Sequence, residues 1–585
     1  MVRFTKVLVA SLAFGLIETT VAIQHVLKGG KVCRYMPGDP EWPSVETWNK
    51  LNETVGGRLI KTVALSDICY ESASTYDAGK CEDIKNGWAF TEIHARDPGS
   101  FNSPILQNGT DPFQTERPSS LGNLPAYTID VRTWKDAAAG IKFAKENKVR
   151  LTIKNTGHDL LGKSAGAGSL SLWTHKLKTL TAEDYESPRY TGKAIRMGAG
   201  IQGHEAYELA ANLGLRVVGG SCPSVGLAGG YTQGGGHGVL NNIYGLAADQ
   251  VLEWEVVTAS GQLVVATPEQ NKDLYWALSG GGPGTFGVVM SMTVRAHPDG
   301  PVSEVSFTFT DAGISKDIFW AALEKFHTHL SSLHNAGGQA IIAIIDNVFM
   351  LNGVTFPDKD IKHVKTAIKP WLEELTELGI QFQPQFTTYP TYFAFVEKRY
   401  GPLPNGPYPS SQLSVSRLIP REVIEKDNHQ LTKAFRKASE AGPFFVALTS
   451  LHLPNPAVEN SVNPLFRTAA TLWVTTMMWD FSAPRSQNLA AWDTLVTEVL
   501  PMMKEVTGGD EGASYLNEGT TRQADWRGAF FGGNLERLEE IKGKWDGEGV
   551  FWAETGVGSA GWKVEGGRLC RVDKEGGRSW LKTEL

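Results

Sequence analysis

Residues 222–238 read CPSVGLAGGYTQGGGHG: one cysteine, then seven glycines in sixteen positions. Neither a helix nor a strand tolerates that glycine density, because glycine loses more backbone freedom on folding than any other residue. A run of this kind suits a place where backbone must come close to something flat or phosphorylated. The stretch 240–249, LNNIYGLAAD, follows after Val239.

Upstream of this loop the chain reads as a strand–helix–strand unit. Residues 127–131, YTIDV, alternate and are rich in β-branched side chains, as strands are. The segment 133–147 is a helix, with Thr133 as N-cap and Asp136 three residues on. A second strand spans 149–153 and runs into the turn Asn155-Thr-Gly-His158. Loops at strand ends are where such folds place ligands. Glycines 157, 162, 166 and 168 surround His158, and bare backbone N–H groups in such a loop can cradle a pyrophosphate. Further strands are expected over 170–172, 194–197 and 215–218, and a helix over 201–213 closed by Gly214. Downstream, 251–259 and 262–266 form a hairpin turning at Ser260-Gly261. A short helix spans 272–278, a second glycine cluster 280–284, and a long strand 286–297.

The remaining texture divides the chain of 585 residues. Residues 1–22 have the pattern of a secretory signal: Arg3 and Lys6, an apolar run over 7–17, and the small-residue site Thr20-Val21-Ala22, with cleavage after Ala22. Eleven apolar residues are too few to span a bilayer. The sequence therefore predicts a soluble, secreted protein. Residues 23–116 read as an irregular N-terminal extension with one helix near 44–55. Residues 117–299 form the first α+β domain. Over 300–510, strands such as 302–309, 340–345 and 469–477 alternate with amphipathic helices at 318–333, 361–378, 422–441 and 487–506, as expected of a sheet covered by helices. The proline-rich and aromatic stretch 389–408 reads as a pocket-lining loop. Residues 511–585 turn glycine- and tryptophan-rich again and are expected to return to the first domain.

Composition excludes several classes of function. The formal charge of −7 and the absence of basic runs argue against a nucleic-acid partner. No zinc-type Cys/His spacing occurs, so no metal site is expected. No G-x-x-x-x-G-K-[ST], H-E-x-x-H or G-x-S-x-G motif is present, which leaves hydrolase and kinase readings without support. Residues 234–238, GGGHG, open no helix, which removes a Rossmann reading. The sequence is silent on oligomeric state.

There are five cysteines, at 33, 69, 81, 222 and 570. In an oxidising compartment four can pair in any of three ways and one is left over. Cys222, alone in its glycine-rich loop, is the natural odd one. Asn52-Glu-Thr and Asn108-Gly-Thr are N-glycosylation acceptors in a secreted chain.

Residues 154–159, KNTGHD, resemble the flavin-attachment loop of the vanillyl-alcohol oxidase and p-cresol methylhydroxylase superfamily. Cys222-Pro-Ser-Val-Gly226, then 234–238 and 244–249, are similar to its berberine-bridge-enzyme branch. The match continues in order through 273–277, DLYWA, and 280–288, GGGPGTFGV. It ends with Tyr515-Leu-Asn517, 531–534, FGGN, Leu538 and Lys542. The leader 34–39, RYMPGD, with Trp42-Pro43, is similar to fungal isoamyl-alcohol-oxidase-like members. The resemblance spans residues 30–560.

This resemblance implies an α+β fold: a two-part FAD-binding domain of the p-cresol methylhydroxylase type and a substrate domain with a helix-covered sheet. It implies FAD bonded twice, through His158 at the 8-methyl carbon and Cys222 at C6 of the isoalloxazine. Further cofactor-binding residues would be Asn155, Gly157, Asp159, Val225, Gly226, Gly230, Gly234, Gly235, Gly238, Gly287, Val288 and Asn517. Tyr515 is the implied catalytic group. Val225, three residues after the attaching cysteine, is similar to members that use O2, so hydrogen peroxide is the expected second product. Gly230 stands where many berberine-bridge-type members carry a histidine, and the shifted His237 is not expected to replace it. No family-type glutamate is evident over 300–510. The implied activity is oxidation of a small alcohol or a secondary-metabolite intermediate; carbohydrate oxidation and cyclisation without net oxidation are the alternatives.

Overall fold

The computed structural model describes residues 32–113, 120–407 and 409–572. The expected signal segment, 1–22, lies outside the described residues. Among those described, no helix is long and apolar enough to cross a membrane.

The fold is α+β and organised on three main sheets. The first has four strands in the order Leu59–Lys61, Tyr127–Asp130, Leu170–Trp173, Leu151–Lys154. Its last three strands are parallel neighbours. Helix Trp134–Glu146 makes the crossover between them, and its start is fixed as its sequence predicts: Thr133 N–H donates to the Asp136 carboxylate at 2.9 Å. The second sheet has five antiparallel strands in the order Leu180–Ser187, Tyr190–Gly198, Val288–Arg295, Val251–Val257, Leu263–Ala266. Ile129, Leu151 and Leu172 of the first sheet share a buried core with Val257 and Val288 of the second. The strand Leu180–Ser187 escapes sequence reading because its side chains are half-buried or exposed throughout.

The third sheet has seven antiparallel strands: Gln385–Tyr389, Val302–Thr310, Val348–Pro357, Gln339–Ile345, Phe444–Ser450, Ala469–Met478 and Gln412–Pro420. Helices Lys316–Asn335, Ile361–Glu377 and Arg421–Glu440 supply Phe319, Trp371 and Phe435 to the core beneath one face. Strand alternation then sends every second residue to the other face. Val446 and Leu448 enter that core, while Phe445, Ala447 and Thr449 turn toward the main cavity.

Three sequence readings need correction. The stretch 389–408 is not simply a loop: it contains helix Tyr392–Tyr400, capped by Thr391, whose Phe395 and Val396 are fully buried. The expected helix over 487–506 is interrupted by a π-turn at Leu495–Val499. The N-terminal extension is more ordered than its composition suggests, with helices Val45–Thr54, Ala78–Gly87 and Thr91–Arg96 and the edge strand Leu59–Lys61. Its strand pairs with Tyr127–Asp130, which joins the extension to the first sheet.

Four cysteines pair as Cys33–Cys570 and Cys69–Cys81, leaving Cys222 free. The first bond joins segments 537 residues apart, so it closes a very long loop in the unfolded chain. Replacing Cys570 with Ser is expected to lower unfolding free energy by about 2–5 kcal/mol, measured by urea denaturation.

Candidate active site

One cavity of about 440 Å³ lies between the first two sheets, the 222–238 loop, the seven-stranded sheet and the C-terminal return. Two loops meet at it because each supplies what the other lacks. Asn155, at the end of strand Leu151–Lys154, pushes its side chain against residues 226 and 229. A Cβ at Gly226 would sit 2.4 Å from Asn155 Oδ1, and one at Gly229 would sit 2.9 Å from Nδ2. Only glycine fits at these contacts. Asn155 Nδ2 donates to Ala199 O at 2.5 Å, which anchors the side chain from behind.

That packing brings together His158 and Cys222, with Cys222 Sγ 3.6 Å from His158 Nε2. Ser224 Oγ stands between them, 3.0 Å from His158 Nε2 and 3.5 Å from Cys222 Sγ. Thr156 Oγ1 lies 2.8 Å from the other ring nitrogen. Ser224 is itself fixed, since its carbonyl accepts from Gln202 Nε2, which also donates to Glu92 of the N-terminal extension. Burial, then the nearby His94 and Lys154, push the His158 pKa down to about 3. His158 is therefore a neutral imidazole with a free electron pair at physiological pH. Burial raises the Cys222 thiol, opposed by hydrogen bonds around Ser224.

Lys154 shows how the extension supports this corner. Its ammonium is buried and donates to the carbonyls of His94 at 3.0 Å and Asp97 at 2.9 Å. Burial lowers its pKa to about 7. Asp159 lines the cavity, with its carboxylate engaged by the loop that follows. It accepts from Lys163 N–H at 2.9 Å and from Ser164 N–H and Oγ, both at 2.6 Å, and so shapes the loop after His158.

The C-terminal return supplies the opposite end. Tyr515 is buried, and its oxygen accepts from Gly236 N–H at 3.2 Å and from Asn517 Nδ2 at 2.8 Å. Burial and the Glu518 charge raise its pKa, so it is a neutral phenol. With two donors already on its oxygen, its own proton is free to donate. Asn517 also donates to Gly230 O at 3.0 Å, which locks the return onto the glycine-rich loop.

Two residues at this end were not expected. His237 Nε2 lies 2.8 Å from Glu518 Oε1, and both line the cavity. Burial opposes protonation of His237, but the Glu518 carboxylate outweighs it and raises the His237 pKa. His237 thus lines the cavity through its pairing with Glu518, a role separate from that of the histidine many family members carry at the Gly230 position. Its partner comes from 281 residues away, which no local motif could reveal.

Of the other expected residues, Gly157, Val225, Gly226, Gly230 and Gly287 line the cavity. Gly234, Gly235 and Gly238 do not. Gly234 and Gly238 permit close packing against Asn517 and Gly219, and Gly235 supplies a φ of +119° that other residues rarely adopt. Val288 turns into the core between the sheets, and Val289 lines the cavity in its place. Strand parity decides this, and the sequence match does not carry parity.

The site also fits a flavin on its own chemistry. Asn155 Oδ1 is buried without a hydrogen-bond partner while its residue lines the cavity, and a neutral imidazole stands beside an unpaired thiol.

A family profile described as "FAD binding domain" matches residues 125–267, and one described as "Berberine and berberine like" matches 514–558. The chain is 43% identical over 560 residues to the VAO-type flavoprotein oxidase VAO615 of Thermothelomyces thermophilus, covering 92% of this chain and 95% of that one. The chain belongs to the vanillyl-alcohol-oxidase family of FAD-linked oxidoreductases. It is 41% identical to the bifunctional decalin synthase calF of Penicillium decumbens, over 92% of this chain and 96% of the relative. The crystal structure of MtVAO615 from Myceliophthora thermophila C1 superposes with a TM-score of 0.88 at 41% identity, covering 92% of this chain and all of that one. The Glu518 carboxylate at the cavity comes from the berberine-like segment and not from residues 300–510.

The His237–Glu518 pair gives a signed pH dependence. Because the His237 pKa is raised above 6.5, its contribution to stability is full below pH 6.5 and fades as pH rises through the raised value. Replacing Glu518 with Gln is expected to destabilise the protein more at pH 6 than at pH 9. Chemical denaturation across that range would show it, and an equal loss at both ends would contradict the pairing.

Proposed function

We propose that this chain is a secreted oxidase of secondary metabolism, acting on a small alcohol or biosynthetic intermediate with FAD bonded to both His158 and Cys222. The observation that carries this reading is the pairing of the free thiol of Cys222 with the neutral imidazole of His158, 3.6 Å apart on one wall of the cavity. When bound, FAD supplies a hydride acceptor that O2 reoxidises to give hydrogen peroxide.

The chain's own residues perform the rest. Tyr515 directs its phenolic proton to the oxygen of the substrate, because its own oxygen is already occupied by two donors. Glu518, held by His237, takes up the proton that the substrate hydroxyl releases. Asn517 and Gly236 keep the phenol in place. Val225, small and on the cavity wall, leaves room for O2. The likeness to a decalin synthase favours a second reading, in which the same pocket steers a cyclisation without net oxidation.

Ultraviolet fluorescence of the acid-treated, unfolded protein on a gel tests covalent attachment. A fluorescent band is expected, together with no titratable thiol in the non-reduced, unfolded protein. A dark band with one free thiol would refute it. Peroxide release with an alcohol panel separates oxidation from cyclisation. Replacing Tyr515 with Phe is expected to lower kcat about 10²-fold while leaving flavin content unchanged.

A further inference from the structure

A separate groove of about 590 Å³ lies at the outer edge of the seven-stranded sheet, and none of its lining residues lines the main cavity. It arises from a mismatch of strand lengths. The edge strand Gln385–Tyr389 pairs with residues 302–306 alone, with Ser306 opposite Gln385. Past that point Phe307 and Thr308 keep a strand partner on one side only. Gln381, Phe382, Gln383 and Gln385 form the far bank. Exposure alternates along this segment, with the three glutamines exposed and Phe382 half-buried. Phe382 packs on Phe307, ring centroids 5.0 Å apart, and makes the floor.

A bulge brings a further side chain to the groove. In strand Val348–Pro357, Val354 pairs with Val305 and Leu351 with Phe307. On the other side Gly353 pairs with Ile341 and Leu351 with Ile342, so Asn352 is opposed by neither neighbour. Gly353 permits this with a φ of +136°, and a Cβ there would lie 2.8 Å from Glu304 Oε2. Such bulges bend a strand and re-aim a side chain. Asn352 lines the groove together with Arg399. Arg399 is held from behind, its Nε 3.8 Å from the buried Glu304 carboxylate. That is too far for a hydrogen bond but close enough to balance the charge. Among the described residues, the side chains of Asn352, Gln383, Gln385 and Arg399 find no hydrogen-bond partner within the chain.

We propose that this groove is a saccharide-binding site, remote from the catalytic cavity, that takes a neutral oligosaccharide. Uncommitted carboxamides present a donor and an acceptor side by side, and the guanidinium presents a fork of donors. Adjacent hydroxyls of a sugar, each both donor and acceptor, satisfy that set. Ser306 and Thr308 add hydroxyls along the near bank. Phe382 offers an apolar surface for the C–H face of a sugar ring. No carboxylate or lysine lines the groove, and Glu304 already balances Arg399. An anion there would lose its water without gaining a free cation. The volume falls within the range of about 300–1,000 Å³ typical of small-molecule sites. Neither covalent flavin nor oxidase activity is needed for this site.

The test is saturation-transfer difference NMR on the holoenzyme with three neutral probes, cellotetraose, laminaritetraose and maltotetraose, and with anionic tetragalacturonate. At least one neutral probe is expected to bind with a Kd of about 1 mM or tighter, and glycerol, a polyol without a ring face, is expected not to displace it. The flavin absorbance should stay unchanged on binding, because the groove lies outside the cavity. Gln383→Ala and Asn352→Ala are each expected to weaken the bound probe about threefold to tenfold, with an unchanged flavin spectrum reporting that each variant has folded. Four results would overturn the site: no saturable binding of any neutral probe, equal or tighter binding of tetragalacturonate, a flavin spectral change on binding, or full affinity in both folded variants. Absence of peroxide release would count against the oxidase reading alone and leave the saccharide site standing.

Discussion

The side chain of Asn155 occupies room that two glycines leave empty, and the site is organised around that contact. A methyl group at Gly226 or Gly229 would drive the 222–238 loop away from the strand end that carries His158. With the contact made, two side chains 64 residues apart face each other across 3.6 Å. The glycine density that costs backbone entropy is thus offset by a geometry no other residue allows. The same logic recurs at Gly234 and Asn517, where the C-terminal return closes over the loop. Two asparagines, one from each end of the domain, hold a single glycine-rich segment between them.

Burial sets the chemistry on each side of the cavity. On the wall of His158 it keeps the imidazole neutral and disfavours ionisation of the thiol, so the two side chains meet without forming an ion pair. At the Tyr515 end a carboxylate enters, and there burial is overruled for His237. The sheet wall carries neither influence. The proposed chemistry follows from this division: attachment at one corner, proton handling at another, and an uncharged floor between them.

Much of this was legible in the sequence, and the gaps have physical causes. Cys222 is identifiable because five cysteines leave one over when the rest pair, and His158 because its turn, KNTGHD, resembles the family's flavin-attachment loop; by itself a histidine in a strand-end turn reads as structural. The strand–helix–strand unit over 127–154 reads correctly because periodicity and capping agree locally. Glu518 and His237 stay hidden because their partnership is purely tertiary. Val288 and Val289 are exchanged because a motif fixes position along a strand but not which face a residue presents. Gly234 and Gly238 lie outside the cavity lining and pack closely on protein instead, because glycine signals close approach without saying to what. Helix Tyr392–Tyr400 is concealed by the prolines that flank it, although its buried face is regular.

The central question is whether one flavin joins the two loops that Asn155 packs together. Proteolysis of the non-reduced holoprotein followed by mass spectrometry decides this. A single species is expected in which the peptide containing His158 and the peptide containing Cys222 are linked through one FAD. Recovery of the Cys222 peptide unmodified, with its thiol intact, would contradict it.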